Sequence, residues 1–189
     1  MSKKILSLIF SKDRPMQLQA TIDSFLYHCD NNYLVDIVVY YKATLEMTQK
    51  QYKEMANFYK NINFVKEKNF KQDIINIISG YNYILMQVDD NIWIRTFDMQ
   101  RILNIINIYK DVIGFSFRLS PSLKFHYLTG KKIQIPSYTK INNFIKYKWI
   151  GGGHDFGYPL EVSATLYRTS DILDIIRKNN FKNPNSFEG

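Results

Sequence analysis

The first 117 residues alternate between short apolar runs and segments of helical period, and this alternation constrains the fold more than any other feature of the chain. The runs are rich in β-branched and aromatic residues, which favours strands over helices. They lie at Ile5–Phe10, Asp36–Tyr41, Ile62–Val65, Tyr83–Val88 and Val112–Phe117. Strands that alternate with helices predict a mostly parallel sheet covered on both faces.

The segments between these runs carry apolar residues at helical spacing. The first helix is predicted to begin near Pro15, because proline suits a first helical turn. The second is predicted to begin at Thr48, because Gln51 stands three residues later, the spacing of a capping box. Further helices are predicted at about Phe70–Ile78, Met99–Ile106 and Ser170–Lys178, and a further strand at Val162–Arg168.

After residue 117, proline and glycine separate short aromatic pieces, so this half is predicted to be an irregular elaboration over the sheet. The length of 189 residues and the absence of an obvious linker predict one α/β domain over residues 1–189. The final residues, Phe187 to Gly189, lack the polar tapering usual at a chain end. We therefore expect the second half to be truncated at its carboxyl terminus.

The net charge of +8 belongs mainly to one segment. Residues 112–154 hold seven of the 25 basic residues and none of the 17 acidic ones, so the rest of the chain is nearly neutral. Lysine interleaved with aromatic residues suits the stacking of sugar rings, an anionic ligand or the surface of an anionic membrane. The same mixture suits single-stranded nucleic acid, but no recognition motif supports a specific nucleic-acid partner.

Cysteine use and hydropathy bear on location. The single cysteine, Cys29, excludes an intramolecular disulfide, fits a reducing compartment, and lies on the apolar stripe of the first helix as a predicted core residue. No apolar run approaches the ~20 residues of a membrane span. The amino-terminal run is interrupted at Lys12, which predicts a buried strand rather than a signal peptide. These features predict a cytoplasmic protein, with peripheral contact at the inner membrane face as a further expectation.

An acidic group directly follows the most apolar run, at Asp89, Asp90 and Asn91. Ligands of parallel sheets bind beyond the carboxyl ends of the strands. Two carboxylates and an amide there suit Mn²⁺ or Mg²⁺ shared with a diphosphate. The alternative is a simple strand end and turn, for which aspartate and asparagine are also suited.

A second polar group, Ser11 to Arg14, follows the first run and opens the first helix. The amino terminus of a helix offers N–H groups to anions. Lys12 and Arg14 would add positive charge for a diphosphate, and Asp13 would bond a base or a ribose. The alternative is an ordinary helix start capped by Ser11 or Asp13. No glycine-rich phosphate-binding pattern is present, which argues against dinucleotide cofactors and P-loop chemistry.

These two loops, the strand–helix order between them and the segment Asn183–Glu188 resemble GT-A-type glycosyltransferases, the nucleotide-sugar-dependent class related to family 2. The resemblance implies a GT-A-like, Rossmann-like α/β/α sandwich with a mostly parallel mixed sheet. Residues 1–117 would form the donor half and residues 118–189 the acceptor half. The implied activity is inverting transfer of a sugar, from a UDP-sugar by preference, to a saccharide or lipid-linked anionic acceptor in surface-polysaccharide synthesis.

The same resemblance implies roles for individual residues. Asp89 would face the nucleoside side of the donor, and Asp90 and Asn91 would lie near the metal and the diphosphate. Because Asn91 stands where the motif usually ends in aspartate, and a neutral amide binds a cation less strongly, dependence on Mn²⁺ or Mg²⁺ stays open. Lys71 or Lys68 would contact a phosphate, with a solvated lysine-rich loop as the alternative.

Inverting transfer needs a general base for the acceptor hydroxyl, and the sequence offers two candidates. Glu188 lies where related enzymes carry their acidic base, although a frayed chain end would hold it poorly. Asp155 lies in the glycine-rich segment 151–157, which is predicted to be a mobile loop able to close over a substrate. The alternative for that segment is a flexible surface loop.

Two other functions remain as alternatives at this point. A nucleotidyltransferase that makes sugar nucleotides would use a related fold, but the chain lacks a glycine-rich loop after its first strand. A non-catalytic basic binding module, such as an inactive or truncated transferase, would account for the basic segment.

Overall fold

The computed structural model describes residues 4–126, 129–158 and 160–188. Its strands are β1 (Ile5–Lys12), β2 (Val35–Lys42), β3 (Ile62–Lys66), β4 (Tyr83–Val88), β5 (Gly114–Ser116), β6 (Tyr138–Ile141), β7 (Phe144–Tyr147) and β8 (Thr165–Arg168). Its helices are α1 (Pro15–His28), α2 (Glu46–Phe58), α3 (Phe70–Ile78), α4 (Met99–Ile108), α5 (Thr169–Lys178) and α6 (Pro184–Glu188). Short 3₁₀ turns occur at Asn32–Leu34 and His154–Gly157. Within the described residues, every helix is too short or too polar to cross a bilayer.

Six strands form one mixed sheet in the order β3-β2-β1-β4-β8-β5. The strands β1 to β4 are parallel, and β8 runs antiparallel to both of its neighbours, β4 and β5. The four parallel strands each precede a helix, as the alternating sequence pattern predicts. The predicted α/β class with a mostly parallel mixed sheet is therefore confirmed.

The central strand β1 explains why the sheet needs helices on both faces. Ile5 and Ile9 point into one apolar layer with α1, α2 and α4, and Leu6 and Leu8 point into a second layer with α3, α5 and α6. All four side chains are buried. Alternate residues of a strand face opposite sides of its sheet. A strand with apolar side chains on both faces, such as β1, is therefore stable only when both sides are covered.

The second half of the chain joins the sheet instead of only lying over it. Strand β8 pairs with β4 on one side and with β5 on the other. The predicted strand Val162–Arg168 is thus found, but its paired part begins at Thr165. The hairpin of β6 and β7, which the sequence did not predict, forms a separate two-stranded sheet.

The predicted start of α2 at Thr48 is wrong. The helix begins two residues earlier, at Glu46, and no side chain caps its amino terminus. The hydroxyl of Thr48 donates a hydrogen bond to Asp13 Oδ1 at 2.8 Å. The threonine is therefore used for a contact with a residue far away in sequence, which a local spacing rule does not register.

Candidate active site

The carboxyl ends of β1 and β4 lie side by side, because these strands are paired up to Phe10 and Val88. The pairing continues one step further, where the N–H of Asp89 donates to the carbonyl of Phe10 at 3.0 Å. The two polar groups that the sequence singled out therefore meet at one edge of the sheet, as the crevice rule for α/β folds predicts.

Asp89 is the buried centre of this edge, with only 4% of its surface exposed. Its Oδ2 accepts hydrogen bonds from the hydroxyl of Ser11 at 3.0 Å and from the backbone N–H of Lys12 at 3.3 Å. Burial raises the pKa of Asp89, while the Ser11 hydroxyl and the charge of Arg14 oppose that rise. The carboxylate is thus held as part of the framework that joins the two loops.

Arg14 bridges both aspartates of the acidic group. Its Nη1 lies 3.0 Å from Asp89 Oδ1 and 3.0 Å from Asp90 Oδ2. The hydrogen bond to Asp90 and the nearby carboxylate charges raise the pKa of Arg14 against the effect of burial. The side chains of Arg14 and Asp90 are 44% and 56% exposed, against 6% for Asp89. The bridge therefore has a buried anchor and a solvent-facing side.

The predicted metal ligands, Asp90 and Asn91, do not fit a divalent cation in this arrangement. The carboxylate of Asp90 is paired with Arg14, and Asn91 Oδ1 accepts a hydrogen bond from the N–H of Val88 at 3.0 Å. Among the described residues there is no group of three or more His, Cys, Asp or Glu side chains that could hold a metal ion. In this arrangement the Arg14 cation already lies against the Asp90 carboxylate, and the amide oxygen of Asn91 is directed to the backbone.

Asp13 lies in the same loop but faces α2. Its carboxylate accepts hydrogen bonds from Thr44, through the backbone N–H at 2.7 Å and the hydroxyl at 2.6 Å, as well as from Thr48. Burial tends to raise the pKa of Asp13, but these hydrogen bonds outweigh it and the pKa is lowered. The backbone of Asp13 has a φ of 55°. Its carboxylate therefore fastens the β1 loop to the segment that begins α2.

Lys71 is the predicted donor residue that the structure does not bring to this group. Its ammonium donates to the backbone carbonyl of Arg177 at 2.9 Å and lies 5.9 Å from the centroid of the Phe181 ring. The neighbouring Phe70 is buried and stacks on Phe10. These contacts tie α3 to α5 and to the core beneath the sheet.

A second charged cluster, formed by Arg118, Asp155, Glu161 and Glu188, was not predicted as a unit. Arg118 donates to Glu161 through Nε at 2.8 Å and also through Nη2, and to Asp155 through Nη1 at 2.7 Å. Burial would lower the pKa of Arg118, but the two carboxylates raise it overall. The same Glu161 accepts hydrogen bonds from the hydroxyls of Ser116 and Thr165.

Glu188 is linked to this cluster through the backbone of Val162, the residue that follows Glu161. Its Oε1 accepts a hydrogen bond from the N–H of Val162 at 3.0 Å. Burial raises the pKa of Glu188, the charge of Glu161 adds to the rise, and the charge of Arg118 opposes it. The preceding Phe187 is buried against Phe181. The expectation of a frayed end that holds Glu188 poorly is therefore wrong, because α6 is anchored in the core.

The glycine-rich segment that holds Asp155 is packed rather than open. Asp155 and Phe156 are 5% and 0% exposed. A Cβ atom on Gly152 would lie 2.6 Å from the carbonyl oxygen of Phe156, and one on Gly157 would lie 2.4 Å from that of Gly152. The glycines therefore permit a close crossing of two backbone stretches, which differs from the mobile loop that their number alone suggested.

One open cavity of about 1580 Å³ is lined in part by each of the two charged groups. Asp90 and Asn91 lie in its wall, as do Arg118 and Glu161 of the second cluster. Aromatic side chains of β5 and of the β6–β7 region complete much of the lining: Phe115, Phe117, Tyr138, Phe144, Tyr147 and Trp149. Asp90 and Asn91 thus share one space with Arg118, Glu161 and an aromatic surface.

Arg118 and Glu161 are the site residues that sequence reasoning missed. Arg118 was counted only as one charge of the basic segment. Glu161 stands as a single carboxylate between Leu160 and Val162, both of which are buried. An isolated acid in an apolar stretch is the signal that would have marked it, because a buried carboxylate needs a partner.

Comparison with known proteins gives one curated relative. No protein-family model matches the chain. The relative is the bifunctional glycosyltransferase pgtA of Dictyostelium discoideum, which is 26% identical over 209 residues. The match covers 96% of this chain and 27% of the relative, so the chain spans about a quarter of that protein's length.

Among solved structures, S. aureus TarS 1–349 superimposes with a TM-score of 0.57 at 12% identity, over 91% of this chain and 49% of that one. Its complex with UDP gives a TM-score of 0.54 at 13% identity, over 91% and 48% of the two chains. A mannosyltransferase of Pyrobaculum calidifontis, solved with GDP-Man and Mn²⁺, has a TM-score of 0.48 at 14% identity and covers 64% and 37%. The chain therefore has the fold of GT-A-type glycosyltransferases and a glycosyltransferase as its curated homologue, which confirms the resemblance inferred from its two loops.

Proposed function

We propose that the chain is a glycosyltransferase that moves a sugar from a nucleotide-sugar donor to a saccharide or lipid-linked acceptor, with inversion. The observation that carries the proposal is the cavity whose wall holds Asp90 and Asn91, from the loop after β4, together with Arg118 and Glu161. The curated glycosyltransferase relative and the fold of the solved neighbours support the same class. UDP is the first nucleotide to test, because the similar TarS was solved with it.

The donor would bind at the edge formed by β1 and β4. Ser11, Lys12, Arg14, Asp89 and Asp90 lie there, with the exposed cations Lys12 and Arg14 available to a diphosphate. The amino terminus of α1 lies next to them and has no acidic residue in its first turn. A helix amino terminus stabilises phosphate groups through its free N–H groups. Asp13 would act indirectly, by holding the loop against α2.

The transfer step would need a base for the acceptor hydroxyl. As the acceptor oxygen attacks the anomeric carbon, its proton passes to a carboxylate, the bond from that carbon to the diphosphate oxygen breaks, and the nucleoside diphosphate leaves with the electron pair. Of the two predicted bases, we favour Glu188. It is only partly buried and its pKa is raised, whereas Asp155 is 5% exposed and paired with Arg118. Asp155 would then position Arg118.

The acceptor would bind along the aromatic wall built by β5 and the β6–β7 hairpin. Five of the seven basic side chains in residues 112–154 are exposed: Lys124, Lys131, Lys132, Lys140 and Lys148. The other two, Arg118 and Lys146, are paired with carboxylates. The exposed lysines support an anionic acceptor or peripheral contact with an anionic membrane surface, which flotation with phosphatidylglycerol vesicles would test.

The donor site is tested by thermal unfolding with UDP, GDP and CMP, each in MnCl₂, in MgCl₂ and in EDTA. A ligand that binds only the folded protein raises its stability by RT ln(1 + [L]/Kd). We expect one nucleoside diphosphate to stabilise the chain, and UDP is the one we expect. The cation arms test the predicted use of Mn²⁺ or Mg²⁺. If none of the nucleotides stabilises the chain under any condition, the proposed function is wrong for this chain.

A further inference from the structure

We propose that Arg14 is the resident cation of the donor site, so that the chain binds a nucleoside diphosphate without a divalent metal ion. The inference rests on the proposed function, since it concerns the same site. It follows from the place that the guanidinium occupies between Asp89 and Asp90.

The geometry of the bridge leaves donors for a ligand. A guanidinium has five N–H groups in a planar fork. Among the described residues, Arg14 reaches the two carboxylates through Nη1, and its Nε and Nη2 donate no hydrogen bond. The side chain is 44% exposed. A planar fork with two such donor atoms, on a partly exposed side chain, suits the bidentate recognition of phosphate oxygens.

The acidic group offers little to a second cation. Asp89 accepts hydrogen bonds from Ser11 and Lys12, and Asn91 is turned back to accept one from Val88. A divalent ion placed between Asp89 and Asp90 would stand within a few ångströms of the Arg14 guanidinium. Two cations so close repel each other strongly where a carboxylate is as buried as Asp89.

Arg14 is also held in place by its backbone. Its N–H donates to the hydroxyl of Tyr52 at 3.2 Å, and its carbonyl accepts from the N–H of Leu18 at 3.0 Å at the start of α1. Tyr52 is fully buried and contacts Ser11 as well. The guanidinium is thus attached to a rigid part of the site, as a fixed anion-binding group requires.

The test is isothermal titration of the whole chain with UDP and with GDP, in EDTA and in 1 mM MnCl₂. For the wild type, we expect affinities in the two buffers that agree within about twofold. Arg14→Ala should bind at least about tenfold more weakly in EDTA and should regain affinity when Mn²⁺ is added, because the two carboxylates are then released for a metal ion. The affinity of Arg14→Lys in EDTA should lie between that of the wild type and that of Arg14→Ala. Arg177→Ala, an exposed arginine on α5, is the matched control and should behave as the wild type.

A second measurement does not depend on the nucleotide. The electron paramagnetic resonance signal of hydrated Mn²⁺ should stay unchanged when the wild type is added and should decrease when Arg14→Ala is added. Thermal unfolding of Arg14→Ala establishes that this variant is folded. Diphosphate binding by the wild type only in the presence of Mn²⁺ would overturn the inference while leaving the proposed function intact. If the wild type binds neither UDP nor GDP in either buffer, the inference is wrong. If thermal unfolding then shows stabilisation by CMP alone, the chain has a nucleotide site but not the diphosphate site inferred for Arg14.

Discussion

Glu161 and Arg118 form a partly buried ion pair across 43 residues of sequence, with Arg118 Nε 2.8 Å from Glu161 Oε1. The pair joins the end of β5 to the segment that leads into β8, and Asp155 binds the same guanidinium. Because Glu161 is only 3% exposed, the guanidinium of Arg118 takes the place of the water that its carboxylate loses on burial. The pair therefore supports one wall of the cavity next to the proposed base.

Replacing Arg118 by methionine should destabilise the fold by about 3–5 kcal/mol, because it leaves Glu161 and Asp155 as buried carboxylates without their cation. Urea unfolding followed by circular dichroism measures the change. Lys124 is an exposed residue of the same segment, so Lys124→Met is the control. It should change the free energy of unfolding by less than about 0.5 kcal/mol. Equal stability of the two variants would show that the ion pair makes no net contribution to the free energy of unfolding.

Replacing Glu188 by glutamine should reduce sugar transfer at least about a hundredfold, because the amide cannot accept the acceptor's proton. In the wild type, activity should rise with pH through a pKa above the ordinary glutamate value of 4.5, since burial raises this pKa and the ionised form is the base. The pH–rate profile of UDP release measures both effects. Asp155→Asn is the comparison, and a larger loss of rate there than in Glu188→Gln would assign the base to Asp155.

The raised pKa of Glu188 also affects stability with a definite sign. The folded state holds the proton more tightly than the unfolded state, so the contribution is fully present below pH 4.5 and is lost as pH rises through the folded pKa. Glu188→Gln should therefore show a smaller loss of stability than the wild type between pH 4.5 and neutrality. Urea unfolding at several pH values measures this, and parallel curves for both proteins would contradict the raised pKa.

Replacing Asp90 by alanine separates the Arg14 proposal from a metal site. With Arg14 as the resident cation, loss of this exposed carboxylate removes a negative charge beside the diphosphate, so UDP affinity in EDTA should stay equal or rise by up to about tenfold. A metal site at Asp90 would instead lose affinity and its response to Mn²⁺. Titration of Asp90→Ala and wild type in both buffers distinguishes the two outcomes.

Replacing Gly152 by alanine should destabilise the segment around Asp155, because the new Cβ would lie 2.6 Å from the backbone carbonyl of Phe156. We expect a loss of about 1–3 kcal/mol, typical of overpacking against backbone. Gly153→Ala is the neighbouring control, since nothing lies within 4 Å of its Cβ. Chemical unfolding of both variants measures the difference, and similar stabilities would argue against the close crossing.

Cys29 should resist alkylation in the folded protein. Burial raises the pKa of its thiol to about 12, and its side chain lies in the core as its helical position predicted. At pH 8 the reactive thiolate is therefore a very small fraction. Mass spectrometry after iodoacetamide treatment should find Cys29 unmodified in buffer and fully modified in urea. Rapid modification without urea would show that the first helix opens readily.

The sequence by itself determined the parallel part of the fold, since strands β1 to β4 and the helices between them follow from local periodicity. It also placed Ser11 and Asp89 at one edge, because parallel strands that each precede a helix end on the same side of the sheet. These conclusions need only the spacing of apolar residues within short segments.

Only the tertiary structure decided how distant residues pair. It placed β8 antiparallel between β4 and β5, which brings Glu161 to Arg118, and it put Arg14 between Asp89 and Asp90. It also turned the Thr48 hydroxyl to Asp13, a partner that its local motif does not specify. Such contacts depend on strand order and on side-chain direction across the fold, and neither is encoded in the periodicity of a single segment.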